Sequence, residues 1–343
     1  METIGIVTYK VPALNPWDPD TINRGIAGSE EAVIYVSQKL AALGYQVIVF
    51  ADPPRGSVHS AVGANPRFID LNQIHQFSMD IAVSWRMPGI GKELKRCAKK
   101  VYLWPEDTLH EKVRPDQVFA FDDCLWVSQW QRKQWMSLTP EFARFTRSFG
   151  NAINPEEFGP AQERENPYSC IYGSNYARGL EIMLRIWPAV KQHYPKATLD
   201  IYYGWQHWGC LAPAKEAWMR KTLPALQDVK EHGLVGHAEL NQAYSNTSFW
   251  TYPCIMPETF CTSGIRAQMG GAIPVIIEGS VLSETVRHGF RCQRPEDYLA
   301  TLLKAMSQAE KIQLDERQKM QEFVLQEYTW EKIAAGWAEV FKS

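Results

Sequence analysis

The sequence predicts an α/β protein of two successive domains, each a parallel β-sheet covered by helices. Three observations carry that expectation. A chain of 343 residues exceeds one ordinary core, and roughly 150 residues per domain divides it in two. Its opening runs strand, glycine loop, helix, strand, and the same layout restarts near Ser169. Between the halves, Asn151-Ala152-Ile153-Asn154-Pro155-Glu156-Glu157-Phe158 leads into a polar stretch over residues 160–167. Prolines and charges without apolar period read as a linker.

Residues 4–9 are short, apolar and β-branched, as in a buried parallel strand. A loop rich in Pro, Asn and Asp ends in Gly25-Ile26-Ala27-Gly28-Ser29-Glu30-Glu31. Ala32, Val33, Val36, Leu40 and Leu43 then recur at helical spacing, and Gly44 closes the helix. Residues 45–50 form the next strand, with further strands at 80–84, 101–104 and 125–128. The charged run 105–123 reads as surface loop with short helix. In the second half, 169–173 is a strand, 174–179 a loop, 180–193 a helix and 199–203 a strand. Leu180, Met183, Leu184 and Trp187 share one face of that helix. Residues 295–342 are mostly helical, with Phe323, Tyr328, Trp330, Ile333, Trp337 and Phe341 as apolar anchors.

Composition excludes several classes. Hydrophobic residues at 45% and charged residues at 22% are those of a soluble globular chain. A net charge of -2 lacks the basic footprint of a nucleic-acid binder. The seven cysteines form no C-x-x-C pair and no zinc pattern, so free buried thiols in a reducing cytoplasm are expected. No apolar run approaches the ~18 residues of a membrane helix, and the first residues read as a strand, not a signal peptide.

The most informative segment is Tyr252-Pro253-Cys254-Ile255-Met256-Pro257-Glu258-Thr259-Phe260-Cys261-Thr262-Ser263-Gly264-Ile265-Arg266-Ala267-Gln268-Met269-Gly270-Gly271-Ala272-Ile273-Pro274-Val275. It reads as a strand end, an acidic loop, a helix, a glycine stop and a second strand. Thr262 or Ser263 can cap the helix, whose first N–H groups, with those of Gly264, suit a phosphate. Glu258 on the loop before it suits vicinal hydroxyls. Arg178-Gly179 sits at the mouth of the second half's first loop, where a guanidinium can grip a diphosphate.

This block resembles the donor-site motif of GT-B glycosyltransferases of the family 4 type, in which a Pro-Glu-x-Phe loop leads into a helix and a Gly-x-x-Pro-Val turn. Gly173-Ser174-Asn175-Tyr176-Ala177-Arg178-Gly179-Leu180-Glu181 is similar to the family's basic-Gly phosphate loop. Gly28-Ser29-Glu30 is similar to its Gly-Gly-Ser-Glu loop, which borders acceptor and donor phosphate. The resemblance is strongest over residues 170–277. It implies two facing Rossmann-like domains, with residues 1–155 on the acceptor side and 165–325 on the nucleotide-sugar side. A cleft between them would close to exclude water, and a C-terminal helix over 326–343 would return to the first domain. It further implies transfer of a sugar from a nucleotide donor to an acceptor hydroxyl, with retention and no required metal. No cofactor is expected beyond the co-substrate, and no Asp-x-Asp stands out as a metal site.

The resemblance gives Glu258 contact with the donor sugar. Eight positions on, where the family has a second glutamate facing the ribose, this chain has Arg266. On that placement Arg266→Glu should strengthen ribonucleotide binding; otherwise Arg266 reaches a phosphate, pairs with Glu258, or marks an altered donor or lost activity. Trp104-Pro105-Glu106-Asp107 stands where relatives often have Trp-x-His-Asp. Glu106 and Asp107 are candidate acceptor contacts or general bases. If the segment is extended, only one of the two faces the site. Arg86, after Ser84-Trp85, is a candidate for acceptor or phosphate. Leu234-Val235-Gly236-His237 looks like the family's turn beside the base: Gly236 permits close approach, and His237 reads as a cap or surface residue. Tyr203-Gly204-Trp205 either stacks on a base or covers the sheet edge.

The expected partners are a nucleotide-sugar donor and a carbohydrate or lipid-linked acceptor, in the cytoplasm, with peripheral membrane contact left open. Two other readings stand beside this one. The first is a GT-B-shaped binding or scaffold protein that lost catalysis with the second glutamate. The second is a sugar-nucleotide epimerase, for which no convincing acid/base pair is legible.

Overall fold

The computed structural model describes residues 1–10, 15–205, 211–312 and 314–342. The chain forms two compact units. Unit 1 comprises Met1–Ile22, Ile26–Ala152 and Tyr328–Ser343; unit 2 comprises Asn23–Gly25 and Ile153–Glu327.

Unit 1 contains strands β1 (Thr3–Val7), β2 (Gln46–Ala51), β3 (Arg67–Asp70), β4 (Met79–Trp85), β5 (Ala98–Trp104) and β6 (Asp123–Cys124). Its sheet order is β3-β2-β1-β4-β5-β6, parallel throughout. Helices α1 (Gly28–Ala42), α2 (Gly91–Leu94), α3 (Pro115–Val118) and α4 (Gln129–Leu138) belong to this unit. The apolar runs of β1 and β2 are buried, and Ala32, Val33, Val36 and Leu40 of α1 are buried with them. Leu43, the fifth position of the expected stripe, is exposed because the helix has already ended; Gly44 makes the turn with φ +95°.

Unit 2 repeats the plan with β7 (Ser169–Gly173), β8 (Thr198–Tyr202), β9 (Val229–Gly233), β10 (Phe249–Tyr252), β11 (Ile273–Ile277) and β12 (Phe290–Cys292). Its order is β12-β11-β10-β7-β8-β9, again all parallel. Counted from the first strand of each unit, the two orders are the same. The helices are α5 (Leu180–His193), α6 (Pro213–Thr222), α7 (His237–Asn246), α8 (Thr262–Gly270), α9 (Leu282–Thr285), α10 (Tyr298–Met306) and α11 (Leu314–Glu327). Arg164 seals two helix ends, donating to Thr247 O (2.8 Å) after α7 and to Gly270 O (2.6 Å) of α8. Arg317 of α11 donates to Gly271 O.

Helix α12 (Trp330–Lys342) packs on unit 1, as expected of the returning C-terminal helix. Trp330 stacks on Tyr35 of α1, Trp337 meets Trp104 edge-on at 4.8 Å, and Lys100 Nζ donates to Phe341 O at 2.8 Å.

Some elements differ from the sequence expectation for identifiable reasons. The strand expected over 125–128 is β6, two residues earlier, because the Ser128 side chain already caps α4 by accepting from Gln131 N. Strands β3, β9 and β12 were not anticipated. All three are edge strands, paired along one side only, and β9 (Val-Lys-Glu-His-Gly) has no apolar alternation. Nor is the run 105–123 only surface, since Leu109, Val113, Val118 and Phe121 are buried in the unit 1 core. All six described cysteines are free, and all but Cys97 are buried; Cys210 lies outside the described residues. Among the described residues no helix is long and apolar enough to cross a membrane.

Candidate functional site

In an open parallel sheet, ligands bind outside the carboxyl ends of strands where the strand order reverses. That point lies between β1 and β4 in unit 1 and between β7 and β10 in unit 2. The candidate residues gather at these two places.

In unit 2, the loop after β7 carries Arg178 and the loop after β10 carries Glu258. Arg178 NH1 lies 2.6 Å from Glu258 Oε1. The same oxygen accepts from the Tyr252 phenol, at the end of β10, and the Glu258 N–H donates to Ser280 Oγ at 2.9 Å. Glu258 is buried, and burial raises its carboxyl above the ordinary value against the pull of Arg178 and Tyr252. For Arg178 burial is the largest influence and opposes the charge, but Glu258 together with Tyr252, Cys254 and Cys261 outweighs it and keeps the guanidinium protonated. Its side chain remains 32% exposed, and Glu258 is its only ion-pair partner among the described residues. The guanidinium has further N–H groups able to donate to an anion.

Gly179 makes this loop sterically feasible. Its φ is +95°, and a Cβ there would meet Pro253 O at 2.2 Å, so only glycine lets the β7 loop close on the end of β10. Helix α8 begins at Thr262 with Cys261 at the cap position and no side-chain cap. This corrects the expected Thr262 or Ser263 cap. The Ser263 hydroxyl instead donates to Gly173 O at 2.9 Å, tying the helix start to the end of β7. An N-terminus without a side-chain cap keeps its backbone donors for a ligand. Gly264 is buried against Val286 and Trp250.

Arg266 is directed elsewhere. It is buried in α8 and donates to Asn241 Oδ1 of α7, whose amide donates to Glu157 Oε2 at 2.6 Å. The pairing of Arg266 with Glu258, one of the expected alternatives, is replaced by the Arg178–Glu258 pair. Gly236 does permit a close backbone approach, but to this chain: a Cβ there would meet Asn23 O at 2.3 Å. Gly25, with φ +96°, faces Val235 O in the same way. His237 opens α7 and is buried, not a surface residue. Trp205 meets Tyr176 edge-on at 4.7 Å and lies under Arg220 at 4.1 Å, so packing occupies it.

In unit 1, Arg86 follows β4 and collects acidic groups. Its NH2 donates to Ser29 Oγ (2.8 Å), its Nε lies 3.1 Å from Asp107 Oδ2, and its NH1 lies 3.9 Å from Glu30 Oε1. The cap position of α1 is Ala27 with no side-chain bond, and Gly28 is the first helical residue. Arg86 and Glu106 both have left-handed backbones, φ 66° and 56°, at the ends of adjacent strands. Such conformations in non-glycine residues cost of order 1–3 kcal/mol and cluster at functional sites. They also void the alternation expected for Glu106 and Asp107, because the segment is not extended there. Glu106 is buried and accepts from Asn151 Nδ2 at 3.1 Å, while the Asp107 side chain is half exposed.

Burial pushes the Glu106 carboxyl up to about 8, against Arg86 and the Asn151 hydrogen bond; burial raises Glu30 as well. Because the folded chain holds the Glu106 proton more tightly than the unfolded chain, the stability linked to it is full below about pH 4.5 and is lost as pH rises through about 8. Glu106→Gln is therefore expected to flatten the fall of melting temperature between pH 5 and 9. An unchanged slope would show that the carboxyl titrates normally.

Sequence reasoning missed the partners that hold the site. Glu30 stood in the Gly28-Ser29-Glu30 motif but read as part of a helix start. Asn151, Tyr252, Ser280 and Asn241 carry no local signal. The sequence also contains Asp18-Pro19-Asp20, and ligand atoms of Asp18, Asp20 and His59 lie within 4.8 Å of one another. Asp18 there accepts from Ser57 Oγ, Thr21 Oγ1 and Asp20 N, which makes it the anchor of a turn.

The sequence matches no family model and no curated protein. Solved structures do match. A sucrose-phosphate synthase from Thermosynechococcus elongatus aligns with TM-score 0.74 at 13% identity, over 100% of this chain and 98% of that one. HepE from Anabaena, in complex with UDP-glucose, aligns with TM-score 0.73 at 13% identity over 100% of both chains. A glycosyltransferase from Rickettsia africae aligns with TM-score 0.71 at 13% identity, over 99% of this chain and 98% of that one. By fold, the chain is a GT-B protein, built along its whole length like these glycosyltransferases.

Proposed function

We propose that this protein transfers a sugar from a nucleotide-sugar donor to the hydroxyl of a glycan, lipid-linked or polysaccharide acceptor, with retention and without a metal. The observation that carries this reading is the Arg178–Glu258 pair beside the start of α8 at the switch point of the second sheet. Arg178 and the backbone at Thr262, Ser263 and Gly264 offer positive charge and N–H donors to a diphosphate. Glu258 offers a carboxylate to sugar hydroxyls and to positive charge at the anomeric carbon. In the transfer, the bond from that carbon to the diphosphate oxygen breaks and the acceptor oxygen bonds to it. The acceptor proton passes to a base, for which Asp107 and Glu106 are the unit 1 candidates, with Arg86 and Ser29 as acceptor candidates and Gly28 as a phosphate candidate of the same unit. HepE, whose structures contain UDP and UDP-glucose, supports a uridine donor. Work in the cytoplasm, peripheral to a membrane where the acceptor is lipid-linked, belongs to the same proposal.

Arg266 favours a second reading, a GT-B binding protein without catalysis, because the carboxylate that would hold the ribose is absent there. A metal-free thermal-shift panel with UDP, GDP, ADP, CMP and their common sugar conjugates tests the first. Selective stabilisation by one nucleotide and its conjugates is expected. No shift with any of them, in folded protein, would move the reading to the second.

A further inference from the structure

Glu258 is held from two sides on one oxygen. Arg178 NH1 and the Tyr252 phenol both reach Oε1, and among the described residues Oε2 takes neither bond. A carboxylate gripped this way cannot rotate to exchange its oxygens without losing both donors. Oε1 is spent on the protein, and neither of these donors uses Oε2.

The phenol is placed by rigid surroundings. Tyr252 ends β10 in parallel register with Ile276 of β11, and its ring stacks on Trp250, two residues earlier on the same face, at 4.8 Å and 17°. Both rings are fully buried. Burial also raises the phenol well above its ordinary value, so it stays a donor at every pH the folded protein meets. Cys254, on the same loop, cannot replace it: its Sγ lies 4.0 Å from Oε1 and 3.5 Å from Met256 O.

We infer that Tyr252 is a positioning residue, whose phenol fixes Oε1 of Glu258 and presents Oε2 to the hydroxyls of the donor sugar. The inference rests on the nucleotide-sugar reading above and assigns the sugar half of the ligand, not its nucleotide, to this side chain. Arg178 serves both halves, because it touches Glu258 and is open to a phosphate; Tyr252 serves only the sugar half.

That division makes the test. Tyr252→Phe keeps the ring and its stacking on Trp250 and deletes only the oxygen. Calorimetry would compare UDP with UDP-glucose, and GDP with GDP-mannose, on wild-type protein and on the variant. A hydrogen bond to a charged group predicts about tenfold weaker binding of the sugar conjugate, with the plain diphosphate unchanged. Losing a donor to the carboxylate also raises the Glu258 pKa, so the acid limb of kcat/KM should move up by about one pH unit. Tyr298→Phe is the control: its buried phenol donates to Val275 O at 2.8 Å in the same unit, and its loss should lower the melting temperature without changing the ratio of the two affinities. Equal weakening of diphosphate and conjugate by Tyr252→Phe, or no change in either, would overturn the positioning role. Wild-type protein that binds none of the four ligands would overturn the nucleotide-sugar reading itself, and this inference with it.

Discussion

Glu258→Gln is expected to lower kcat/KM for the nucleotide sugar by about 10²–10³-fold while leaving affinity for the free nucleoside diphosphate within about twofold. The side chain keeps its shape and loses its charge. In the proposed transfer positive charge develops at the anomeric carbon, and a buried carboxylate would act there at low dielectric, where it is worth far more than in water. The ion pair with Arg178, 2.6 Å long, is weakened at the same time, which releases the guanidinium toward the diphosphate. Diphosphate affinity should therefore hold or rise, whereas turnover collapses. Steady-state kinetics with a parallel titration of the diphosphate would measure both. Loss of diphosphate affinity equal to the loss of turnover would mean that Glu258 shapes the loop and does not act on the sugar.

Arg266→Glu is the second large effect, and its expected sign reverses the one drawn from sequence. The family pattern placed this position beside the ribose, where a carboxylate would help. In the structure Arg266 is 4% exposed and its guanidinium donates to Asn241 Oδ1, with Asn241 bound in turn to Glu157 at 2.6 Å. A carboxylate there would face an acceptor oxygen and stand in a buried chain that ends on Glu157. Breaking a buried charged network costs about 3–5 kcal/mol, which corresponds to a fall on the order of 10 °C in melting temperature. Arg266→Met, close in volume and without charge, should cost less. An Arg266→Glu protein with unchanged melting temperature and tighter nucleotide binding would restore the ribose-facing placement.

The fold was legible in the sequence wherever burial imposes a pattern. The strand at 169–173 and the helix at 180–193 coincide with β7 and α5, because central parallel strands are apolar throughout and α5 has one buried stripe. Edge strands gave no such signal, since β9 needs only backbone pairing along one side. The candidate site shows the same division. Arg178, Gly179 and Glu258 stood out in the sequence as parts of recognisable loops, and the structure pairs Arg178 with Glu258. Their contacts were not readable, because they depend on register between strands far apart in sequence. Tyr252 reads as a β-strand aromatic, and only the approach of the loop at 253–258 makes its phenol a donor to Glu258. Arg266 read as a ligand residue by position in a motif, yet the packing of α7 against α8 turned it to Asn241. In unit 1, the left-handed backbone at Glu106 means that the rule for extended segments does not apply there.

A nucleoside diphosphate bound beside Arg178 is the central expectation for this protein. The most direct measurement is calorimetric titration of UDP, in the presence of a chelator, into wild-type protein and into Arg178→Ala. Saturable one-site binding to the wild type and at least about tenfold weaker binding to the variant are expected. Equal affinity for both proteins, with both folded, would contradict it.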